Sequence, residues 1–317
     1  MVRVGVTGAA GFLGGALVPQ LARAGYELRL LDDRSGPLEA VHPGWPVARE
    51  DFRSPGGRRL LADCDVVLHL AALSGVVLCA SEPERTRAVN VEGTGALFRE
   101  LSERSIPVAF ASSFAVVGIP EHLPITEETP PQPTHEYARQ KAQGEEALRR
   151  EVGSSHGPGG AILRMSNLYG RYRIAERVVG KGNVLNLFAA QARTGTLLVN
   201  APGTQRRDFI HLQDVVAHWV GVAGFLRTPQ ARGRTTLFNV ASGETATVLE
   251  LASRVQAAWA RLHPGAASLS VRVVPNARGD IELLQPEFTV ERSRTERLLG
   301  LSCRRSLENS LDEILAA

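Results

Sequence analysis

The sequence predicts an α/β protein with a doubly wound parallel sheet and a smaller, partly helical C-terminal lobe. Short β-branched apolar runs alternate with longer helical patterns through the first half of the chain, and these apolar runs are continuous. Continuous apolar strands are typical of a parallel sheet that helices cover on both faces. After about residue 166 the alternation changes, which indicates a second lobe.

The elements can be assigned in order from apolar runs and glycine signals. VRVGVTG is a buried strand that ends in glycine, and GFLGGALVPQLARAG is a helix closed by Gly25. The following strands are ELRLLDD, DVVLHLAA, VAFASS and GAILRMSNLYG, and the helix ERTRAVNVEGTGALFRELSER precedes VAFASS. RDFIHLQDVVAHWVGVAGFL and LFNVAS are predicted to be a helix and a strand of the same sheet.

Composition argues against several classes of function. The chain has 317 residues, of which 44% are hydrophobic and 22% charged, and its net charge is +3. The positive charges are scattered, so a nucleic-acid partner is not indicated, whereas a small anionic substrate suits this balance. The N-terminus enters a strand directly, which is not the pattern of a signal peptide, and no apolar run is long enough to predict a membrane span.

The cysteines and histidines predict neither disulfides nor a metal site. Cys64, Cys79 and Cys303 lie far apart without metal-ligand spacing, which favours free thiols in a reducing compartment and a cytoplasmic protein. His69 follows an apolar strand and is interpreted as a packed structural histidine, and the other histidines do not form a ligand set.

TGAAGFLG (7–14) lies between the first strand and the first helix. There Gly8, Gly11 and Gly14 allow a tight turn, the approach of backbone to a pyrophosphate, and close packing of helix on strand. The N-terminus of the helix offers N–H groups and the positive end of its dipole to phosphate. Glycines are also common in turns without a ligand, but the strand before and the helix after them favour a Rossmann-type dinucleotide site.

The second strand ends in LLDDR, which bears on the choice of cofactor. Asp32 lies about twenty residues after the glycines, where a carboxylate accepts hydrogen bonds from the ribose of NAD and repels a 2′-phosphate. Arg34 follows closely and is of the type that holds the phosphate of NADP, so NAD is favoured and NADP remains an alternative. Asp51 is predicted to accept from the adenine amino group beside the Phe52 backbone, and a plain helix N-cap is a compatible alternative.

HEYARQK (135–141) places Tyr137 and Lys141 one turn apart on one face of a predicted helix, with Thr134 as a possible N-cap. One interpretation is an exposed helix whose charges keep it soluble. The other is catalytic, because an ammonium nearby and a positively charged nicotinamide lower the pKa of a phenol from its usual value near 10. Such a phenolate can take a proton from a substrate hydroxyl.

A series of motifs in one order resembles the extended short-chain dehydrogenases/reductases, in their NAD-dependent sugar-nucleotide epimerase/dehydratase group. The matching motifs are TGAAGFLG, LLDD, HLAALSGV, NVEGT, ASSFAVVG, YARQK, LRMSNLYG, RRDFIHLQDV, FNVASGE and a late RGD. Together they span nearly the whole chain. The change of pattern after about residue 166 divides the chain into a dinucleotide-binding domain at 1–166, with 208–243 returning to its sheet, and a smaller lobe at 167–207 and 244–317, which is expected to bind substrate.

For the site, the resemblance implies a catalytic set of Ser113, Tyr137 and Lys141. Tyr137 would act as the base, Lys141 would also hold the nicotinamide ribose, and Ser113 would orient the reacting oxygen, although Ser112 and Ser113 also suit the capping of a strand end. The residues expected to bind the cofactor are Gly8, Gly11, Phe12, Leu13, Gly14, Asp32, Asp51, Phe52, Leu70, Ala71, Ala72, Asn90, Tyr137 and Lys141.

The substrate side is implied by the resemblance alone. Ser113 is expected at the reacting oxygen, Asn167 at a substrate diphosphate, and Arg207 and Arg278 as arginines that grip the same diphosphate. Their alternatives are a turn residue for Asn167, solubility for any surface arginine, and Arg206 in place of Arg207. The remaining residues expected to contact substrate are Asn183 and Val184, which would lie near the nucleotide base.

The resemblance implies epimerisation of a nucleoside-diphosphate sugar, most simply at the 4-position through a transient keto intermediate. The alternatives are a net oxidoreductase, such as a 4-ketoreductase or a dehydrogenase of a small hydroxy compound, and a cofactor-binding regulatory protein without chemistry. Val117 stands where the family often has tyrosine, which leaves the sugar open. Phe114 and Ala115 stand where relatives that remove water or carbon dioxide have a carboxylate. A homodimer is implied by helices that pair in relatives.

Overall fold

A computed structural model describes residues 1–33, 44–153, 157–174, 177–180, 182–275 and 287–316. Its strands are β1 (Arg3–Thr7), β2 (Glu27–Asp32), β3 (Val47–Arg49), β4 (Val66–His69), β5 (Val108–Ser113), β6 (Gly160–Met165), β7 (Asn167–Tyr169), β8 (Arg171–Ile174), β9 (Arg177–Gly180), β10 (Thr196–Asn200), β11 (Arg206–His211), β12 (Thr235–Val240), β13 (Thr245–Thr247) and β14 (Ser270–Val274).

The α-helices surround these strands. They are α1 (Phe12–Arg23), α2 (Pro55–Leu61), α3 (Val76–Ser81), α4 (Pro83–Arg87), α5 (Thr94–Glu103), α6 (Glu136–Val152), α7 (Val184–Ala192), α8 (Leu212–Phe225), α9 (Val248–Leu262), α10 (Ser293–Leu299) and α11 (Leu307–Ala316). A π-helical turn at Ala88–Gly93 joins α4 to α5, so the helix predicted before VAFASS is continuous. Within the described residues, no helix is both long and apolar enough to cross a membrane.

Seven parallel strands form the central sheet, in the order β12-β6-β5-β4-β1-β2-β3. One apolar cluster joins the sheet to α1 and α8, and another joins the opposite face to α5 and α6. Both faces are therefore buried, which explains the continuous apolar strands and confirms the predicted fold class. A third cluster, built from α7, α9, α11 and β10, lies in the second lobe.

Two of the predicted elements are wrong in detail. GAILRMSNLYG is not one strand, because the chain leaves the central sheet at Ser166 and continues as β7 in a separate sheet of order β13-β11-β7. RDFIH, predicted as the start of a helix, is strand β11, which pairs with β7 and β13. The helix begins only at Leu212, after His211, whose Nδ1 accepts from Gln213 N at 3.2 Å and caps it.

Of the stretch 208–243 that was assigned to the central sheet, β12 lies in that sheet and β11 does not. The division into two domains stays a prediction.

The carboxylate of Asp208 in β11 joins the two sheets. It accepts a hydrogen bond from Ser166 Oγ, just after β6. It also accepts from Ser242 N and Ser242 Oγ, each at 3.0 Å, and from Gly243 N at 2.7 Å, just after β12. Burial raises the pKa of Asp208, and these hydrogen bonds oppose that shift. The carboxylate has partners on both oxygens, as a buried polar group requires.

Candidate active site

The glycine-rich loop passes from β1 to α1 with very little room around it. Gly8 has a φ of +71°, and a Cβ there would lie 2.8 Å from Ala71 N. A Cβ on Gly14 would lie 2.4 Å from the Gly8 carbonyl oxygen, so the helix packs directly on the loop. Larger residues at either position would push these segments apart.

The N-terminus of α1 suits a phosphate group. Gly11 is its N-cap and provides no side-chain acceptor, and the first turn, which includes Phe12 and Leu13, contains no acidic residue. The N–H groups and the positive end of the helix dipole therefore face outward without a competing anion. Loop and helix together fit the pyrophosphate of a dinucleotide.

Asp32 lies at the end of β2 beside this loop. Its Oδ2 accepts from Ala10 N at 2.9 Å, and the residue is buried. The carboxylate therefore stands next to the phosphate cradle, as expected for a ribose acceptor. Arg34 lies outside the described residues.

Asp51 and Phe52 follow β3. Asp51 accepts from Arg53 N at 2.8 Å and forms an ion pair with Arg53 Nη2 at 2.6 Å. Although burial raises the pKa of Asp51, the hydrogen bonds from Arg53 turn the net shift downward. The N-cap alternative for Asp51 is wrong, because Ser54 caps α2 by accepting from Gly57 N at 2.9 Å. The Phe52 side chain is buried, so only its backbone is available to a ligand.

His69 is fully buried between two threonines, as the structural interpretation expects. Its Nδ1 is 2.7 Å from Thr7 Oγ1, and its Nε2 is 3.0 Å from Thr94 Oγ1. Burial lowers the pKa of His69 to about 3, so the ring is neutral. Thr7 Oγ1 also accepts from Ala71 N at 3.2 Å, which fixes the loop Leu70–Ala72 at the end of β4.

Asn90, which is predicted to contact the cofactor, also has a structural role. Its Oδ1 accepts from Leu73 N at 2.9 Å, and its Nδ2 donates to the Leu73 carbonyl and to Gln140 Oε1, both at 2.8 Å. It therefore ties the loop after β4 to α6.

The predicted catalytic residues come together where β5 ends and α6 begins. Ser113 is the last residue of β5, Tyr137 lies in the first turn of α6, and the Ser113 side chain acts on the Tyr137 phenol by lowering its pKa. Lys141, one turn later, is buried, and its Nζ donates to the Ala111 carbonyl at 2.7 Å. Ser113 Oγ also accepts from Ala115 N at 3.2 Å, so it caps the turn as well as facing Tyr137.

The lowering of the Tyr137 pKa, which was expected with a bound nicotinamide, stays a prediction. Burial raises the pKa of Tyr137 to about 12, and the hydrogen bond with Ser113 only partly offsets this. Lys141 is directed at a carbonyl of β5 and at the ring of Phe110, whose centroid is 4.9 Å from Nζ.

The N-cap predicted for α6 is one residue too early. His135, rather than Thr134, is the cap, and its Nδ1 accepts from Ala138 N at 3.2 Å. An imidazole accepts a hydrogen bond at Nδ1 only when that nitrogen carries no proton, so the capping ring is neutral.

The residues expected to contact substrate lie on the small sheet and α7. Exposed Asn167 begins β7, and its Nδ2 donates to the Asp208 carbonyl at 3.0 Å. Asn183 is the N-cap of α7, ahead of Val184, and its Nδ2 donates to the Leu168 carbonyl at 2.8 Å. Asn183 therefore lies beside β7.

The two candidate arginines of β11 differ in their contacts. Arg207 Nη1 donates to the Arg206 carbonyl at 2.8 Å. Arg206 Nη2 forms an ion pair with Glu250 at 2.7 Å, so the guanidinium of Arg206 is already engaged by a carboxylate. Arg278 lies outside the described residues.

One buried polar group at the site had no place in the sequence-based prediction. Ser112 and Arg164 both donate hydrogen bonds to the buried carboxylate of Glu145, in the helix that carries Tyr137 and Lys141. The available signals were an arginine in the middle of the apolar strand GAILRM and a glutamate four residues after Lys141.

Comparison with known proteins agrees with this geometry. The family model described as NAD dependent epimerase/dehydratase family matches residues 4–241. The UDP-glucose 4-epimerase of Neisseria meningitidis serogroup B is 27% identical over 99% of this chain and 96% of that protein.

Solved structures of the same type superpose over nearly the whole chain. The UDP-glucose 4-epimerase of Thermus thermophilus, in complex with NAD, has a TM-score of 0.80 and 27% identity, covering 99% of this chain and 98% of that one. A dTDP-glucose 4,6-dehydratase from Streptomyces venezuelae, also with NAD, has a TM-score of 0.79 and 25% identity, covering 99% and 96%. On its motifs, its fold and its family match, the chain belongs to the NAD-dependent epimerase/dehydratase family.

Proposed function

We propose that the protein is an NAD-dependent epimerase that inverts the 4-position of a nucleoside-diphosphate sugar through a transient keto intermediate. The observation that carries the proposal is the placement of Ser113 at the end of β5 opposite Tyr137 in the first turn of α6, with Lys141 one turn later. The two residues after Ser113, Phe114 and Ala115, cannot transfer a proton. The epimerase relative of Neisseria meningitidis supports the same reaction class.

The chain's own residues would perform the proton chemistry. Tyr137 takes the proton of the sugar hydroxyl and later returns it, while Ser113 holds the reacting oxygen. When bound, NAD would supply the acceptor and donor of hydride at the same carbon. The pyrophosphate would lie on the glycine-rich loop and the N-terminus of α1, and the ribose hydroxyls would face Asp32.

The raised pKa of Tyr137 makes the cofactor part of its activation. With the pKa raised to about 12 by burial, Tyr137 stays protonated at neutral pH in the protein alone. A positively charged nicotinamide ring beside the phenol favours the phenolate, because opposite charges lower the pKa of an acid. Tyr137 would therefore become an effective base only in the NAD-loaded protein.

Dehydration is disfavoured by the residues after Ser113. Phe114 is buried against Phe288, with 5.7 Å between ring centroids, and Ala115 has no proton to give. Glu136 is the nearest carboxylate in sequence to Tyr137, and it accepts from Arg139 Nε and Gln140 Nε2, each at 3.0 Å. Although burial raises the pKa of Glu136, these partners turn the net shift downward, so Glu136 is an ionised acceptor rather than an acid.

We propose a UDP-linked hexose as substrate, because the epimerase relatives carry that specificity in their names. Asn167, Asn183, Val184, Arg207 and Arg278 would contact it. Arginine suits a diphosphate because its planar guanidinium donates two parallel hydrogen bonds.

The test is incubation of the purified protein with UDP-glucose or UDP-galactose, without added NAD, and separation of the products by chromatography. We expect interconversion of the two sugars by protein that retains NAD through purification. Net oxidation of either sugar that consumes added NAD, or reduction of a 4-keto nucleotide-sugar that consumes added NADH or NADPH, would instead identify an oxidoreductase of the same fold.

A homodimer through α5 and α6 is part of the proposal. The two helices flank a surface groove of about 370 Å³. Its base includes the small residues Gly95, Ala96 and Ala147, and charged or polar side chains line most of the rest: Arg87, Glu92, Arg99, Gln143, Glu146 and Arg150. Small residues on adjacent helices allow close approach of a second pair of helices. Light scattering of the eluted protein should give twice the mass of 34.1 kDa. A cytoplasmic location stays a prediction.

A further inference from the structure

Three consecutive residues of β5 are each bound by a different polar side chain of α6. Lys141 Nζ donates to the Ala111 carbonyl at 2.7 Å, and Ser112 Oγ donates to Glu145 Oε1 at 2.6 Å. The Ser113 side chain acts on the Tyr137 phenol by lowering its pKa. The helix residues follow one another at intervals of four, so they share the face that looks at the strand. Ser112 and Glu145 are both buried.

The carboxylate of Glu145 is held from a second side by Arg164 of β6. Arg164 Nε donates to Glu145 Oε1 at 2.9 Å, and its Nη2 donates to Oε2 at 2.8 Å. The Glu145 side chain is 0% exposed and that of Arg164 1%. Arg164 Nη1 also donates to the Thr129 carbonyl at 3.2 Å, in the segment that leads to α6.

A buried ion pair of this kind is poor evidence for added stability. Removing two charges from water costs several kcal/mol, roughly what their attraction returns. The bidentate geometry does, however, fix direction, because both hydrogen bonds must remain aligned. The Glu145–Arg164 ion pair therefore determines the position of α6 on the sheet, and it contributes little to the stability of the packing.

We propose that Ser112, Glu145 and Arg164 form a positioning unit that sets the register of α6 on β5, and through it the contact between the hydroxyls of Tyr137 and Ser113. Ser112 is buried, so it acts through its neighbour rather than on substrate. Movement of α6 by a fraction of an ångström would lengthen the contact of Tyr137 with Ser113. The inference rests on the proposed function, since it takes Tyr137 as the proton acceptor.

The test compares Ser112→Ala with Ser112→Thr, which restores a hydroxyl, in the NAD-loaded protein. Thr295→Val is the matched control, because it removes a buried hydroxyl that donates to the Asn239 carbonyl at 3.1 Å, far from α6 in sequence. Arg149→Ala is a second control, because it removes the half-exposed arginine that contacts Glu145 from the surface at 3.2 Å. For each variant, kcat, KM, retained NAD and the pH dependence of kcat are measured.

A separate readout does not need turnover. The ionisation of Tyr137 is followed by ultraviolet difference absorbance against the same variant carrying Tyr137→Phe. We expect Ser112→Ala to move the ionisation of Tyr137 to higher pH. It should also lower kcat on the order of tenfold, because a misplaced reacting group slows the chemical step. KM and the amount of retained NAD should not change. Ser112→Thr should recover the wild-type ionisation and kcat, and the two controls should resemble wild type.

Wild-type ionisation and kcat in Ser112→Ala would overturn the inference. So would a loss in which kcat, KM and retained NAD all change together while the ionisation of Tyr137 does not. If Ser112→Ala does not fold, Ser112→Cys replaces it, and the same shift is expected at smaller size because a thiol is a weaker donor. If the wild type turns over no nucleotide-sugar, the proposed function fails, and the ultraviolet titration still decides the inference.

Discussion

The imidazole ring of His135 lies nearly parallel to the phenol ring of Tyr137, with 6.1 Å between ring centroids and 9° between the ring planes. The same imidazole caps the helix that carries Tyr137. One neutral side chain therefore both caps α6 and lies beside the phenol of Tyr137.

Substitutions of His135 should show how much its role as the N-cap of α6 contributes to the stability of the protein. His135→Ala removes the acceptor for Ala138 N and should lower the free energy of unfolding by about 1 kcal/mol, whereas His135→Asn, with a good capping residue, should preserve it. Denaturant unfolding at neutral pH measures both. Equal stability of the alanine and asparagine variants would contradict the capping role.

Wild type and His135→Asn should also differ in how their stability depends on pH. Burial, together with the charge of Arg139, lowers the pKa of His135 from its usual value of 6.5 in the folded protein. The unfolded chain therefore binds the proton first, and the contribution of His135 to stability is present above pH 6.5 and lost as pH falls through the lowered pKa. Between these values wild type should lose more stability than His135→Asn. Parallel stability curves for the two proteins would exclude protonation of His135 as the cause.

Tyr137→Phe should keep the fold and the cofactor while turnover falls by about 10²–10⁴-fold, the range for loss of a general base. The ring remains in place, and only its hydroxyl and the hydrogen bond to Ser113 are removed. Retained NAD and circular dichroism serve as controls. Turnover near that of wild type would remove Tyr137 from the mechanism.

Asp32→Ala should weaken NAD more than NADP. The carboxylate accepts from the ribose in NAD and repels the 2′-phosphate in NADP, so its loss acts in opposite directions on the two. Ala10 N also loses its acceptor, so some loss of affinity is common to both cofactors. Titration of the cofactor-free protein with each dinucleotide measures the ratio of dissociation constants. A wild-type protein that already prefers NADP would indicate that Arg34 sets the choice.

The protein should neither dehydrate nor decarboxylate nucleotide-sugars. Neither Phe114 nor Ala115 can serve as the additional acid or base that those reactions need, and Glu136 is already engaged by Arg139 and Gln140. Mass spectrometry of a panel of nucleotide-sugars should show products of unchanged mass. A 4-keto-6-deoxy sugar, or a pentose formed from a uronic acid, would contradict this expectation.

The central sheet and the cofactor loop could be predicted because their signals are local. Continuous apolar strands indicate burial on both faces, and Gly8 and Gly14 are needed wherever backbone segments approach as closely as they do here. Each of these features follows from a few neighbouring residues, so a short stretch of sequence is enough to recognise it.

The errors arise where distant parts of the chain decide the outcome. RDFIH becomes a strand because β7 and β13 are available to pair with it, and no property of the five residues themselves contains that information. Burial of the Tyr137 phenol by neighbouring elements, which raises its pKa in the protein without cofactor, could not be predicted from the sequence either. His135 is not predicted as a cap because serine, threonine, aspartate and asparagine are the usual residues there.

Asp208 binds the chain at both places where it leaves the central sheet, after β6 through Ser166 and after β12 through Ser242 and Gly243. One carboxylate therefore fixes the chain at both exits, so the two connections between the sheets are not independent of each other. Asn167 directly follows Ser166, and Arg207 directly precedes Asp208. Two residues that we propose as substrate contacts are thus anchored by the same carboxylate.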